Sequence, residues 1–140
     1  MKLLQLIYSS RPFGYDDLAL NGILASARRN NIRDGITGAL ICREDLFVQM
    51  LEGPEAAVNE LFARIARDDR HTEIVTLVSS SVDARLFPDW AMRHDPPRSW
   101  MWTPEQVAAG MVTAAPADDV RGVFVRLASE PPVTPQTCPV

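Results

Sequence analysis

Histidine and cysteine are scarce in this chain, two of each in 140 residues, and that scarcity removes several chemistries at once. His71 and His94 are too few to support a credible Ser-His-Asp or Cys-His catalytic set. Cys42 sits in an apolar strand pattern and Cys138 in a proline-rich tail, so the pair is no disulfide framework, and neither has His or Cys neighbours at metal-ligand spacing. Runs of Lys or Arg are missing. With a net charge of −4 there is no field to attract nucleic acid or an anionic membrane, so neither is expected as a partner. No apolar stretch approaches a membrane span. The start, Met1 to Ser10, lacks the apolar core and small-residue cleavage site of an export signal. A cytoplasmic, reduced protein is expected. There is no internal repeat.

What is present is one ordinary core's worth of residues, 46% hydrophobic and 23% charged, in patterns that change period along the chain. Lys2 to Ser9 sets Leu4, Leu6 and Tyr8 against Leu3, Gln5 and Ile7, a strand covered on both faces, with Tyr8 on a core face. From Asp16 to about Asn30, Leu20, Ile23, Leu24 and Ala27 recur at helical spacing, with acids at the start and Arg28 and Arg29 at the end. Asn30 and Asn31 are read as ending that helix, since Asn tolerates the left-handed conformation. Ile36 to Cys42 and Leu46 to Glu52 then form a hairpin across Arg43-Glu44-Asp45. Gly53-Pro54-Glu55 opens a second helix whose stripe is Val58, Leu61, Phe62 and Ile65 and whose end is near Asp68. Glu73 to Ser80 and Phe87 to Arg93 are the last strands, the latter weakened by Pro88.

The order βαββαββ predicts an α+β, ferredoxin-like sandwich: a five-stranded mixed sheet with two helices on one face. Thr103-Pro104-Glu105-Gln106 is a capping box, and Val120, Val123, Phe124 and Leu127 are a further apolar stripe, so C-terminal helices should cap the other face. Residues 96–130 form that cap, and 131–140 is expected to be a disordered tail. Trp100, Met101 and Trp102, if exposed, would mark an oligomer or partner surface.

The informative block is Asn30 to Glu52. In Phe47-Val48-Gln49-Met50-Leu51 alternate residues point to opposite faces, so Gln49 shares the core face of Phe47 and Leu51. A buried amide left unpaired costs about 1–3 kcal/mol per group, so neighbouring side chains or a polar ligand must answer it. The crevice between the two helices is the natural place for that ligand: Ile23 and Ile65 would flank a flat ring, and Tyr8, Asn31 and Gln49 would reach its edge.

Leu6-Ile7-Tyr8-Ser9-Ser10, Asn30-Asn31, Gly35-Ile36-Thr37-Gly38-Ala39-Leu40, Phe47-Val48-Gln49-Met50-Leu51-Glu52-Gly53, Asp69-Arg70-His71 and Trp90-Ala91-Met92 resemble, in this order and spacing, a BLUF domain, the blue-light sensor that uses FAD. The resemblance covers about Lys2 to Arg93, which makes 1–95 a flavin-binding domain. It implies noncovalent FAD, with FMN as the variant the sequence leaves open, held by Tyr8, Ile23, Asn30, Asn31, Phe47, Gln49, Ile65, Arg70 and His71. Light would drive electron and proton transfer from Tyr8, the Gln49 amide would reorganise, and the absorption would shift reversibly to the red. A phenol has an O–H to lose, and a primary amide carries a donor and an acceptor on nearly one shape. The resemblance further points to the final strand as the relay, where alternation would put Trp90 and Met92 on one face. Output is expected through a downstream signalling protein or through a homo-oligomer, a dimer or larger.

Two other readings compete. An acylphosphatase-like enzyme needs a glycine-rich phosphate loop with an arginine after the first strand, and Ser9-Ser10-Arg11-Pro12-Phe13-Gly14 has the arginine without the glycines; no enzyme activity is expected. A flavin-free ferredoxin-like interaction module would use Tyr8 and Gln49 as ordinary strand residues and Asn31 as a helix cap.

Overall fold

The computed structural model describes residues 3–12, 28–43, 45–67, 71–95 and 97–131. Its elements are β1 (Leu3–Pro12), a helical stretch over 28–34 (α1), β2 (Thr37–Cys42), β3 (Phe47–Gly53), α2 (Glu55–Ala66), β4 (His71–Val82), β5 (Arg93–Asp95), α3 (Pro104–Ala108), α4 (Met111–Ala114) and α5 (Ala117–Ala128). The fold is α+β. The sheet runs β4-β1-β3-β2-β5: its four long strands are antiparallel neighbours, and the three-residue β5 adds to β2 in parallel.

Period-2 patterning sorts the sheet's side chains into two layers. One layer holds Leu4, Leu6, Tyr8, Leu40, Phe47 and Leu51, covered by Val58, Leu61, Phe62 and Ile65 of α2. The other holds Ile7, Ala39, Ile41, Val48, Met50 and Val78, covered by Val107, Val112, Val120, Phe124 and Leu127 of the C-terminal helices. Thr103 accepts from Gln106 N while the Gln106 side chain accepts from Thr103 N, the expected capping box. The central strands carry two-sided burial because both layers are occupied.

Several expectations are corrected. α1 does not end at Asn30-Asn31 but continues to residue 34. Gly35, at φ +72°, supplies the left-handed residue, and Ile36 N donates to Asn31 O at 2.9 Å, closing the helix one turn later. The expected strand over 87–93 is mostly loop, and β5 begins only at Arg93. The cause lies far away in sequence: Leu86 N and Phe87 N donate to the Glu52 carboxylate at 2.8 and 2.9 Å, so these amides are taken from any ladder, and Pro88 has none to give. Trp100, Met101 and Trp102 make no exposed patch. Met101 is buried and both tryptophans pack on the helix-side core, with Arg126 stacked 4.3 Å over the Trp100 ring. The body of the first helix and the tail beyond residue 131 lie outside the described residues.

Candidate functional site

Tyr8 and Gln49 are direct partners across β1 and β3, and both side chains project into the layer under α2. Directly paired side chains on one face are close enough to touch. The Tyr8 hydroxyl donates to Gln49 Oε1, and Gln49 Nε2 donates to Met92 Sδ at 3.2 Å. A sulfur is a weak acceptor, so the amide is paired at both ends but strongly at only one. Tyr8 is 3% exposed and its ring lies 5.4 Å from that of Phe62, tilted by 53°. Leu40 flanks Gln49 on its other side, from β2.

Asn31 approaches from α1. Its Nδ2 donates to Ala91 O at 2.7 Å, and the residue is 1% exposed. Its Oδ1 is buried and has no hydrogen-bond partner among the described residues. An unanswered buried carbonyl is rare, so this atom asks for a donor. Arg28, one turn earlier, donates from Nε to Met92 O at 3.1 Å, and partial burial pulls its guanidinium below the usual arginine range. Gly38 N donates to Trp90 O at 3.0 Å. A Cβ on Gly38 would run into the Met50 carbonyl, so only glycine fits where β2 crosses β3 at this point.

Tyr8, Asn31, Gln49 and Met92 thus converge, with Phe47 and Ile65 packed in the same layer. Asn30 is half-buried on α1 and, one helical residue from Asn31, is turned about 100° from it. The expected shared face of Trp90 and Met92 is wrong: Met92 joins the layer under α2, while Trp90 packs on the opposite layer. The pair lies in an irregular lead-in to β5, where strand alternation does not apply. Ile23, Arg70 and the His71 side chain lie outside the described residues and atoms.

Sequence reasoning missed Arg28, read as a dipole partner at a helix end that does not exist there. It also missed Glu52, which is fully buried and faces the helix-side layer with Val48 and Met50. Strand alternation from Gln49 carried that signal; the partners, 34 and 35 positions away, did not show in any local pattern. Among the described residues no helix is long and apolar enough to cross a membrane, and no group of three or more His, Cys, Asp or Glu side chains is placed to hold a metal.

A mainly antiparallel sheet with a buried Tyr-Gln pair under one helical layer, and an unanswered amide carbonyl beside it, defines a small α+β domain with a candidate polar binding site. The family described as sensors of blue-light using FAD, BLUF, matches residues 3–93. The chain belongs to the BLUF family. It is 41% identical over 76 residues to the photoactivated adenylate cyclase subunit beta of Euglena gracilis, a match covering 54% of this chain and 9% of that protein. The chain spans about a tenth of the curated relatives it matches first. Among solved structures it is similar to BlrB, a BLUF protein in its dark state, at TM-score 0.75 and 33% identity over 91% of this chain and 96% of that one. It is also similar to BlsA in its photo-activated state, at TM-score 0.77 and 28% identity over 94% and 99%. The chain is therefore a blue-light sensor domain of a flavin-using family.

Proposed function

We propose that this chain is a photoreceptor with a ferredoxin-like fold that holds FAD noncovalently in the layer under α2, beside Tyr8, Asn31 and Gln49. The observation that carries the reading is the Tyr8–Gln49–Met92 hydrogen-bond chain lying beside the unpartnered Oδ1 of Asn31. The residues fit the group. Asn31 Oδ1 is an acceptor for a ring imide N–H, Gln49 is an amide able to meet ring acceptors, and Phe47 and Ile65 supply apolar walls, with Ile23, Asn30, Arg70 and His71 as further contacts. When bound, the flavin supplies the blue absorption and, once excited, a strong one-electron oxidant.

The chain's own residues do the rest. Tyr8 holds the transferable electron and proton, and its hydroxyl already points at Gln49 Oε1. Gln49 is the switch: turning or tautomerising its amide exchanges donor for acceptor with little steric change. Met92 then faces the opposite polarity, and the 90–92 lead-in to β5 is biased toward a different packing. Trp90, on the far side of that lead-in, carries the change toward the C-terminal helices of 96–130, the output segment. The downstream element is a separate signalling protein or a second copy of this chain, in the cytoplasm.

The test is the absorption spectrum of the purified protein in the dark and after blue illumination. Flavin bands that move reversibly to the red support the reading. A colourless protein that fails to take up added FAD or FMN would sink it and leave the interaction module. Chromatography of the released cofactor distinguishes FAD from FMN.

A further inference from the structure

Three residues beyond Gln49, β3 carries a second polar side chain that faces the other way. Glu52 is fully buried in the helix-side layer, directly opposite Gln5 on β1, which is fully buried as well. The Glu52 carboxylate accepts from three N–H groups: Gln5 Nε2 at 3.1 Å, Leu86 N at 2.8 Å and Phe87 N at 2.9 Å. Gln5 Oε1 in turn accepts from Arg121 Nε of α5 at 2.8 Å. A buried carboxylate is tolerated only when its lone pairs are answered, and here the donors come from two separate pieces of chain, β1 and the 86–87 segment. Two of them open the segment that ends at Met92; the third leads through Gln5 to α5.

The apolar contacts follow the same line. Phe87, whose amide Glu52 holds, packs edge-to-face on Phe124 of α5 at 6.4 Å and 89°. Next to it, Arg85 binds Glu52 O at 3.0 Å, Thr37 Oγ1 at 2.8 Å and Gly35 O at 2.7 Å, pinning the start of the segment to the ends of β3 and α1. The segment is thus clamped at 85–87 by Glu52 and at 90–92 by the switch site. Displacement at Met92 has one rigid end to work against.

We propose that Glu52 is the positioning residue that couples the switch segment to α5, through Phe87 on one side and Gln5–Arg121 on the other, so that α5 is where the chain's output is read. The inference rests on the photoreceptor reading above. Coupling of this kind requires an element with two arrangements that both ends bias, and the polar chain ties α5 to β1 directly and, through Gln5, to Glu52 on β3.

The experiment is amide hydrogen exchange of the flavin-loaded full chain, dark against continuous blue light, preceded by the absorption test on each sample. In the wild type, exchange over Ala117–Ala128 should be about fivefold faster in the light, the low end of ordinary site-to-site coupling. Glu52→Gln removes an acceptor from a cluster of donors; Arg121→Leu cuts the chain at the helix surface without touching the buried carboxylate. Each should keep the red shift at wild-type amplitude, leave dark exchange of β1 and β3 unchanged, and bring the light-to-dark ratio over α5 close to one. If Glu52→Gln does not fold, Arg121→Leu decides alone. A variant that photoshifts and retains the full light effect on α5 overturns the proposal, as does a photoshifting wild type whose α5 exchanges equally in light and dark. A wild type without any photoshift fails at the absorption step, which marks the photoreceptor reading itself as the fault.

Discussion

Replacing Tyr8 by Phe separates the hydroxyl's chemistry from its packing. The ring is 3% exposed and packs against Phe62 at 5.4 Å, and Phe keeps that ring in place, so no cavity opens. What goes is one donor, the hydroxyl that meets Gln49 Oε1. Loss of a buried neutral hydrogen bond, with the amide oxygen left to find another donor, costs about 1–2 kcal/mol. For a domain of this size that is a fall in melting temperature of roughly 3–10 °C. Flavin uptake should be unchanged because the apolar walls and Asn31 are untouched. The reversible red shift should vanish, since the phenyl ring has no proton to give with its electron. The assay is paired: a thermal melt, and difference spectra under blue light. A Tyr8→Phe protein that is yellow and still shifts reversibly to the red would refute the role given to Tyr8, whatever its melting temperature.

The remaining expectations divide the site by function. Gln49→Leu should bind flavin but fail to form the red-shifted state, and an intact photocycle in that variant would move the switch elsewhere. Asn31→Ala removes the unanswered carbonyl and the bond to Ala91 O, so flavin should bind about tenfold more weakly, by the worth of one buried hydrogen bond; titration of the stripped protein with FAD reads this directly, and equal affinity would exclude Asn31 from the ring edge. Met92→Leu keeps volume and loses the sulfur acceptor for Gln49 Nε2, so the shift should persist while dark recovery slows, as one contact favouring the dark arrangement is gone. Unchanged recovery kinetics would show that the sulfur contact plays no part.

The parts of the fold legible in the sequence are those whose cause is local. β1, the β2–β3 hairpin and α2 follow from alternation and from the Val58, Leu61, Phe62, Ile65 stripe, and the capping box at Thr103 is where four consecutive residues said it would be. That Tyr8 and Gln49 would each lie on a core face was legible too, because strand alternation groups them with Leu4 and Leu6 and with Phe47 and Leu51. What was not legible depends on distant partners. Asn31 has the propensity of a cap, yet Gly35 ends the helix and frees the Asn31 amide to point inward. The 87–93 stretch has strand-like residues, yet a carboxylate 34 and 35 positions earlier takes its first amides, and with the strand gone the shared face of Trp90 and Met92 goes as well. Local pattern names the residues; it does not say which backbone groups a remote side chain will claim.

The strength of the switch can be bounded from its contacts. Among the described residues, hydrogen bonds tether 90–92 to α1, β2 and β3: Gly38 N to Trp90 O, Asn31 Nδ2 to Ala91 O, Arg28 Nε to Met92 O, and Gln49 Nε2 to Met92 Sδ. Only the last depends directly on how the Gln49 amide is turned. Losing one such bond is worth about 0.5–1.5 kcal/mol, a factor of about 2 to 13 in the balance between two arrangements of the segment. Turning a two-state element from 1:99 to 99:1 needs about 5.5 kcal/mol, so this contact alone biases the segment without flipping it. The other three tethers survive the event at Gln49 and resist it. A complete response therefore needs a second contribution that discriminates between the arrangements, and a binding partner with higher affinity for the displaced form supplies one by mass action. On this reasoning the isolated chain should show a full spectral shift with only a partial structural response in the C-terminal helices, and the response should grow when a partner that prefers the lit form is added.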